Sequence, residues 1–129
     1  MTEQELLALA KDASKRAYAP FSGFKVGAAV ITPTGKVYSG CNIENSSYGA
    51  TCCAERIALF KAVSEGEKEF NAIAVYGGNG EECTPCGICL QVISELAPNA
   101  DIILSDNTYK IAELLPKAFK LKKSEDKND

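Results

Sequence analysis

Two short cysteine-bearing stretches contain the residues of this chain best suited to chemistry. The stretch "CCAE" at 52–55 places a cysteine two residues before a glutamate, and "PCGIC" at 85–89 spaces two cysteines by three positions. Such thiols can form a disulfide staple, a redox pair or a metal site. The chain has no histidine, so a metal would be bound by thiolates, carboxylates or water, and a general base would be something other than imidazole.

Helix N-termini could bring these thiols together. Cys86 and Cys89 stand at positions i and i+3, which places both on one face of a first helical turn, and Cys53 begins another predicted helix. The unpaired N–H groups and the dipole of a helix N-terminus favour thiolate over thiol, and thiolates favour zinc. Glu55 is rotated by roughly 200° from Cys53 on a regular helix, so it suits a proton carrier better than a fourth ligand.

Other interpretations of the cysteines remain open at this point. Cys83, Cys86 and Cys89 form C-x-x-C-x-x-C, a spacing also found in iron–sulfur proteins. A closed zinc site with four cysteines and a redox C-x-x-C pair are further alternatives. The remaining thiols, Cys41 and Cys52 as well as Cys83, could simply be small buried side chains.

The surrounding sequence indicates alternating helices and strands. Thr2 and Glu5 have capping-box spacing, which predicts a first helix over 3–18, and the runs 24–32 and 36–43 predict an antiparallel hairpin around "PTGK". Later elements are expected to be a helix at 53–65, a strand at 70–78, a helix after Pro85, a strand at 100–106, a short strand at 108–112 and a helical turn or two at 112–119. This order predicts an α/β fold, a three-layer α/β/α arrangement with a central mixed β-sheet of about five strands.

Composition limits the classes of protein to which the chain can belong. Its 129 residues predict a single domain over 1–129, with 120–129 as a flexible charged tail. No apolar run approaches the roughly 20 residues that cross a bilayer, and the acidic start "MTEQELLALA" lacks a signal-peptide pattern. The net charge of −3 comes without a basic patch. We therefore expect a cytoplasmic protein whose partners include neither membrane nor nucleic acid.

The two cysteine stretches together resemble the signature of a known enzyme family. "CAER" at 53–56 and "PCGIC" at 85–89 look like the C-x-E…P-C-x-x-C pattern of the zinc-dependent cytidine deaminases. Other segments are similar to the small homotetrameric members of that family, namely "YAPFSGFKVGAA", "GCNIEN", "FKAVSEG", "CGICLQVISEL" and "ELLPKAF". The resemblance extends from about residue 16 to 119 and outweighs the iron–sulfur and closed-zinc alternatives.

The resemblance implies a metal centre and an activity. It assigns one Zn²⁺ per subunit to Cys53, Cys86 and Cys89, with water in the fourth position, and makes Glu55 the catalytic proton carrier. Arg56 would lie beside the thiolates and offset their charge. The implied reaction is hydrolytic deamination of cytidine and deoxycytidine to uridine and deoxyuridine, in pyrimidine salvage.

The resemblance also implies a set of substrate contacts, formed by Phe24, Asn42, Glu44, Tyr48, Ala54 and Phe119. Asn42 and Glu44 match the pair that hydrogen-bonds the sugar hydroxyls, and the aromatic ring at position 24 matches one that lines the nucleoside pocket. The Ala54 backbone matches a contact to the pyrimidine carbonyl. Tyr48 and Phe119 match residues that close a neighbouring subunit's pocket, which implies a homotetramer with shared active sites and a free pyrimidine nucleoside as the substrate.

Two departures from the family pattern and one rival substrate class remain. One departure is a pair of extra thiols, Cys52 and Cys83, beside the predicted ligands. The family commonly has arginine directly after "CGxC", where this chain has Leu90, so we expect a more negative zinc site and a shifted pH–rate profile in Leu90→Arg. A nucleoside-like antibiotic or a cytosine in a polynucleotide could replace the free nucleoside. The "NIE" stretch favours a free ribose, and the acidic balance disfavours a polymer.

Overall fold

The computed structural model describes residues 1–81 and 83–124. Its elements in chain order are α1 (Glu3–Ser14), β1 (Val26–Ile31), β2 (Val37–Cys41), a 3₁₀ turn (Tyr48–Ala50), α2 (Ala54–Ser64), β3 (Ala72–Gly77), α3 (Gly87–Leu96), β4 (Asp101–Ile103), β5 (Thr108–Tyr109) and α4 (Ile111–Leu114). The predicted alternation of helices and strands is confirmed.

The strands form one mixed sheet in the order β2-β1-β3-β4-β5. The β1–β2 hairpin is antiparallel, with Ala29 opposite Ser39, and β1 is also antiparallel to β3. The β3–β4 pair, joined through α3, is parallel, and the short β5 runs antiparallel to β4. The predicted sheet of about five strands, with an antiparallel hairpin and a parallel pair, is therefore confirmed.

Helices cover both faces of the sheet. Leu6 and Ala10 of α1 pack against small strand side chains such as Ala29 and Ala74 on one face. The opposite face carries a larger cluster in which strand residues such as Ile73 pack against α2 and α3. Because successive strand residues point to opposite faces, this alternation produces the predicted three layers.

Two glycines let helices lie directly against the hairpin. A Cβ atom at Gly27 would stand 1.9 Å from the backbone oxygen of Ala10 in α1, and one at Gly40 would stand 2.7 Å from the backbone nitrogen of Ala58 in α2. Neither position can accept a side chain without moving a helix. The close approach at Gly40 therefore fixes the start of α2, which carries part of the candidate site, against the sheet.

The first helix is shorter than the sequence indicates. Its predicted capping box between Thr2 and Glu5 is present, but α1 ends at Ser14 rather than at residue 18. The backbone of Tyr18 instead pairs with the segment after β2, donating to the Asn42 carbonyl at 3.0 Å and accepting from the Glu44 N–H at 2.8 Å. Pro20 also disfavours helix in the residue before it. The early end of α1 starts a loop that reaches the candidate site.

The end of the chain is only partly described. Residues 120–124 are exposed and have no helix or strand, and the rest of the predicted charged tail, 125–129, lies outside the described residues. Within 1–81 and 83–124, none of the helices combines the length and apolar character needed to cross a bilayer. The single-domain assignment stays a prediction.

Candidate active site

Two helix N-termini bring the three predicted thiols together. Cys53 is the N-cap of α2 and Cys86 is the N-cap of α3, and both have extended backbone. Cys89 is buried in the first turn of α3. The sulfur atoms of these three residues, here called the metal cluster, all lie within 4.8 Å of one another, and those of Cys53 and Cys86 are 3.8 Å apart.

The metal cluster fits zinc. Tetrahedral zinc with Zn–S bonds of about 2.3 Å separates two sulfur ligands by roughly 3.8 Å, which is the spacing of Cys53 and Cys86. Among the described residues, no further cysteine or carboxylate joins the three thiols. Cys83 packs instead against Gly77, where the ring of Phe24 also lies. Three protein ligands without a fourth leave the open position typical of catalytic zinc.

The cysteines of the metal cluster differ in how readily they ionise. The pKa of Cys53 is lowered to about 5, chiefly by a hydrogen bond from the Cys89 thiol and further by Arg56 and Cys86, against the opposing effect of burial. The pKa of Cys89 is raised because its thiol donates to Cys53 and is buried. Cys53 therefore ionises more readily than Cys89, and its thiolate is the form that binds a cation.

Arg56 supplies positive charge beside the metal cluster. Its guanidinium lies 3.4 Å from the Cys53 sulfur. Burial alone would lower its pKa, but hydrogen bonds to Cys53 and Cys89 outweigh burial and raise it. These contacts explain why a positively charged side chain stands at a helix N-terminus, where the helix dipole disfavours a cation. Leu90 lies buried in the apolar cluster over α2 and α3, and the expected effect of its replacing arginine stays a prediction.

Glu55 is buried next to the same sulfur atoms. Only 3% of the residue is exposed, and this burial raises the pKa of its carboxyl group to about 7. The carboxyl group is also within hydrogen-bonding reach of the Cys89 thiol. The rotation of roughly 200° expected between Cys53 and Glu55 applies to two helical residues, whereas Cys53 is an extended N-cap. The side chains of Cys53 and Glu55 can therefore reach the same point beside the N-terminus of α2.

Asn42 and Glu44 contact residues 19–25, the last part of the connection between α1 and β1, here called the 19–25 loop. The Asn42 amide accepts from the Val26 N–H at 2.8 Å and donates to the Phe24 carbonyl at 2.9 Å. The Glu44 carboxylate accepts from the N–H groups of Phe21 and Ser22 at 2.9 and 3.1 Å, and from the Ser22 hydroxyl. Both predicted sugar-binding side chains therefore also hold the 19–25 loop in place.

A backbone bridge joins this region to the metal cluster. Ile43, between Asn42 and Glu44, exchanges two backbone hydrogen bonds of 2.9 Å with Cys52. In an antiparallel pair the residue before one partner lies opposite the residue after the other, so Asn42 is placed next to Cys53. The bridge fixes the predicted sugar contacts relative to the first thiol of the metal cluster.

A cavity of about 410 Å³ opens beside Glu44, lined by Phe21, Ser22, Glu44, Asn45, Tyr48 and Thr51. Tyr48 is 86% exposed and Phe24 is 41% exposed, whereas Ala54 at the start of α2 is fully buried. Phe119 is 66% exposed and does not line the cavity. The thiols of the metal cluster are also absent from the lining of the cavity. The metal cluster and the residues that line the cavity are therefore separate, neighbouring parts of the site.

Two contacts at the site were not predicted from the sequence. The Ser22 hydroxyl contacts Glu44, and the Gln91 side chain donates to the Phe119 carbonyl at 2.6 Å. The two residues of each contact are more than 20 positions apart in the chain, so no local spacing could have revealed these contacts. Ser22 does lie in "YAPFSGFKVGAA", which carries the family resemblance.

Comparisons with known proteins agree with this geometry. The chain matches the family described as "Cytidine and deoxycytidylate deaminase zinc-binding region" over residues 1–105. It is 45% identical to a cytidine deaminase of Halalkalibacterium halodurans, covering 100% of both chains, and 44% identical to one of Sporosarcina psychrophila, covering 92% of each. The crystal structure of cytidine deaminase from Burkholderia pseudomallei superposes with a TM-score of 0.86 at 45% identity, covering 92% of this chain and 100% of that one. By sequence and by fold, this chain belongs to the cytidine deaminase family.

Proposed function

We propose that this protein catalyses the hydrolytic deamination of cytidine and deoxycytidine to uridine and deoxyuridine. The observation that carries the proposal is the convergence of three thiols with one buried carboxyl group, Glu55, at two helix N-termini. Cys53, Cys86 and Cys89 would hold one zinc ion per subunit. When bound, zinc would supply a water molecule that loses its proton near neutral pH.

Glu55 moves the protons of the reaction. Its carboxylate accepts the proton of the attacking water, delivers it to ring nitrogen N3, and later assists transfer of a proton to the departing ammonia. The bond that forms joins the water oxygen to C4 of the pyrimidine, and the bond that breaks joins C4 to the amino group. Burial of Glu55 keeps bulk water from competing for these protons.

The other residues orient the substrate and balance charge. Asn42 and Glu44 hydrogen-bond the sugar, Phe24 lines the nucleoside pocket, and the Ala54 backbone contacts the pyrimidine carbonyl. Three thiolates around a divalent cation leave a net charge of −1, which Arg56 offsets from its position at 3.4 Å from Cys53.

The assembly that we propose is a homotetramer with shared active sites. Tyr48 and Phe119 are 86% and 66% exposed, which leaves both aromatic rings free to close the pocket of a neighbouring copy. The free nucleoside, rather than nucleic acid or a membrane, is the partner that the acidic balance of the chain favours. Pyrimidine salvage in the cytoplasm is the setting that this substrate implies.

The first experiment is a direct assay with zinc-loaded protein. Cytidine and deoxycytidine should each lose the cytosine absorbance, with uridine or deoxyuridine and ammonia as the identified products. The same protein should leave a single-stranded DNA rich in cytosine unchanged. Absence of turnover on both nucleosides, in protein shown to contain zinc, would contradict the proposed function.

A further inference from the structure

The 19–25 loop carries Phe24 and lies against Glu44, so its conformation determines where two predicted nucleoside contacts stand. It lies between the early end of α1 and the start of β1. None of its residues belongs to a helix or a strand of the sheet. Side-chain hydrogen bonds therefore contribute more to its conformation than they would in a regular element.

The Ser22 hydroxyl occupies the centre of these hydrogen bonds. Its oxygen accepts from the Phe24 N–H at 3.0 Å and is hydrogen-bonded to the Glu44 carboxylate. An ionised carboxylate only accepts, so the single hydroxyl proton must be donated to Glu44. One hydroxyl thus links the backbone of Phe24 to the carboxylate of Glu44.

The acceptor positions of Glu44 show how the hydrogen bond from Ser22 affects the binding of a ligand. A carboxylate offers about four acceptor positions. The N–H groups of Phe21 and Ser22 both bond to Oε1, and the Ser22 hydroxyl bonds to Oε2. Because Glu44 lines the cavity, the position left on Oε2 is the one available to a sugar hydroxyl. The same hydrogen bond from Ser22 is the largest cause of the lowered pKa of Glu44, which keeps the group an acceptor.

We infer that Ser22 is a positioning residue for nucleoside binding, whose hydroxyl aims the free acceptor of Glu44 at the sugar and holds Phe24 at the pocket. The inference rests on the proposed function, because it takes Glu44 and Phe24 as nucleoside contacts. The plainer alternative makes Ser22 a turn-forming residue only, since a serine oxygen often accepts from the N–H two residues on. That role would affect loop stability without a specific effect on substrate affinity.

The test compares Ser22→Ala, which removes the hydroxyl, with Ser22→Thr, which keeps it. Ser22 is exposed, so both variants should fold, and circular dichroism checks this. For Ser22→Ala we expect KM for cytidine to rise roughly five- to tenfold with kcat within about twofold of wild type, because loss of the hydrogen bond that orients Glu44 weakens substrate binding without changing the chemical step. For Ser22→Thr we expect KM within about twofold of wild type.

A second measurement does not depend on turnover. Calorimetric titration with uridine should show the same loss of affinity in Ser22→Ala and little loss in Ser22→Thr. The matched control is Ser64→Ala, which removes an exposed hydroxyl bonded to the Lys61 carbonyl at the far end of α2 and should leave KM and the uridine affinity unchanged.

The outcomes separate this inference from the proposed function. Turnover by wild type with an unchanged KM in Ser22→Ala would overturn the inference alone. Equal losses in Ser22→Ala and Ser22→Thr would also overturn it, because the hydroxyl would then not be the group that matters. Absence of turnover by zinc-loaded wild type would overturn the proposed function and this inference with it.

Discussion

The metal cluster and the 19–25 loop are adjacent, but they are held in place by different kinds of interaction. The thiols stand on the first residues of α2 and α3, and apolar side chains of both helices are buried in the cluster on one face of the sheet. The 19–25 loop is held by the side chains of Asn42 and Glu44, through hydrogen bonds between groups that are largely exposed. Under the proposed function we therefore expect the chemistry to depend on the buried packing of two helices, and substrate affinity to depend on side-chain hydrogen bonds that single substitutions can remove.

This difference leads to distinct expectations for substitutions in the two regions. Changes in the metal cluster should abolish metal binding and turnover together. Changes in the loop contacts should alter KM while the metal content and kcat stay close to wild type. A substitution in the loop contacts that removes zinc, or a substitution in the metal cluster that changes only KM, would contradict this distinction.

The largest effect is expected for Cys89→Ser. Loss of this buried ligand leaves two thiolates, so zinc content should fall below one per chain and kcat/KM should drop by at least about a thousandfold. Zinc is measured by atomic emission on the purified protein. Cys41→Ser is the matched control, since Cys41 lies at the end of β2 outside the metal cluster and should keep both zinc and activity. Full zinc occupancy in Cys89→Ser would contradict the ligand assignment.

A smaller effect is expected for Arg56→Ala. Removing the guanidinium that contacts Cys53 leaves the excess negative charge of the thiolates unbalanced, and loss of such a supporting group typically costs about 10- to 100-fold in metal affinity or activity. Competition with a chelator measures the zinc affinity, and steady-state kinetics measure kcat. Arg16→Ala removes an arginine from an exposed ion pair with Asp12 and should change neither. Equal behaviour of the two variants would show that Arg56 has no role at the metal.

The smallest of these effects is expected at Glu44. Glu44→Gln should raise KM roughly tenfold with a minor change in kcat, because the ligand loses a charged acceptor. The pKa of Glu44 lies below its ordinary value of 4.5, chiefly through the Ser22 hydroxyl. A carboxyl group with a lowered pKa loses its charge only as the pH falls through that lower value.

The sign of this shift gives a pH test. The ratio of KM in Glu44→Gln to KM in wild type should stay constant from about pH 8 down to about pH 5.5, because Glu44 remains ionised throughout and any effect of Glu55, whose pKa is about 7, is common to both proteins. A KM that rises toward pH 5.5 in wild type, and does not rise in Glu44→Gln, would show that Glu44 titrates higher than the structure indicates.

The same contrast explains how much the sequence could predict. The Cys86–Cys89 pair of the metal cluster follows from local spacing, because these residues are three apart and the N-terminus of a helix places such thiols together. The mixed sheet and its layers follow from the order of helical and strand-like runs. These features depend on residues close together in the chain, or on the general packing of helices against sheets.

The remaining features depend on contacts between distant residues. The early end of α1 results from pairing of Tyr18 with the segment that follows β2, and helical periodicity in 3–18 contains no sign of it. The contact between Ser22 and Glu44 spans 22 residues, and neither residue type indicates the other. The need for glycine at positions 27 and 40 becomes apparent only when a helix lies against each of them. Such contacts can be read only from the folded chain.

The most direct test of the account is Glu55→Gln, which keeps the shape of the buried side chain and removes its ability to carry a proton. We expect kcat to fall by at least about a thousandfold, while zinc content, circular dichroism and uridine affinity stay near wild type. Glu65→Gln, at the exposed opposite end of the same helix, should leave kcat unchanged. A Glu55→Gln protein that contains zinc and retains kcat within about tenfold of wild type would contradict the central claim that this carboxyl group moves the protons of the reaction.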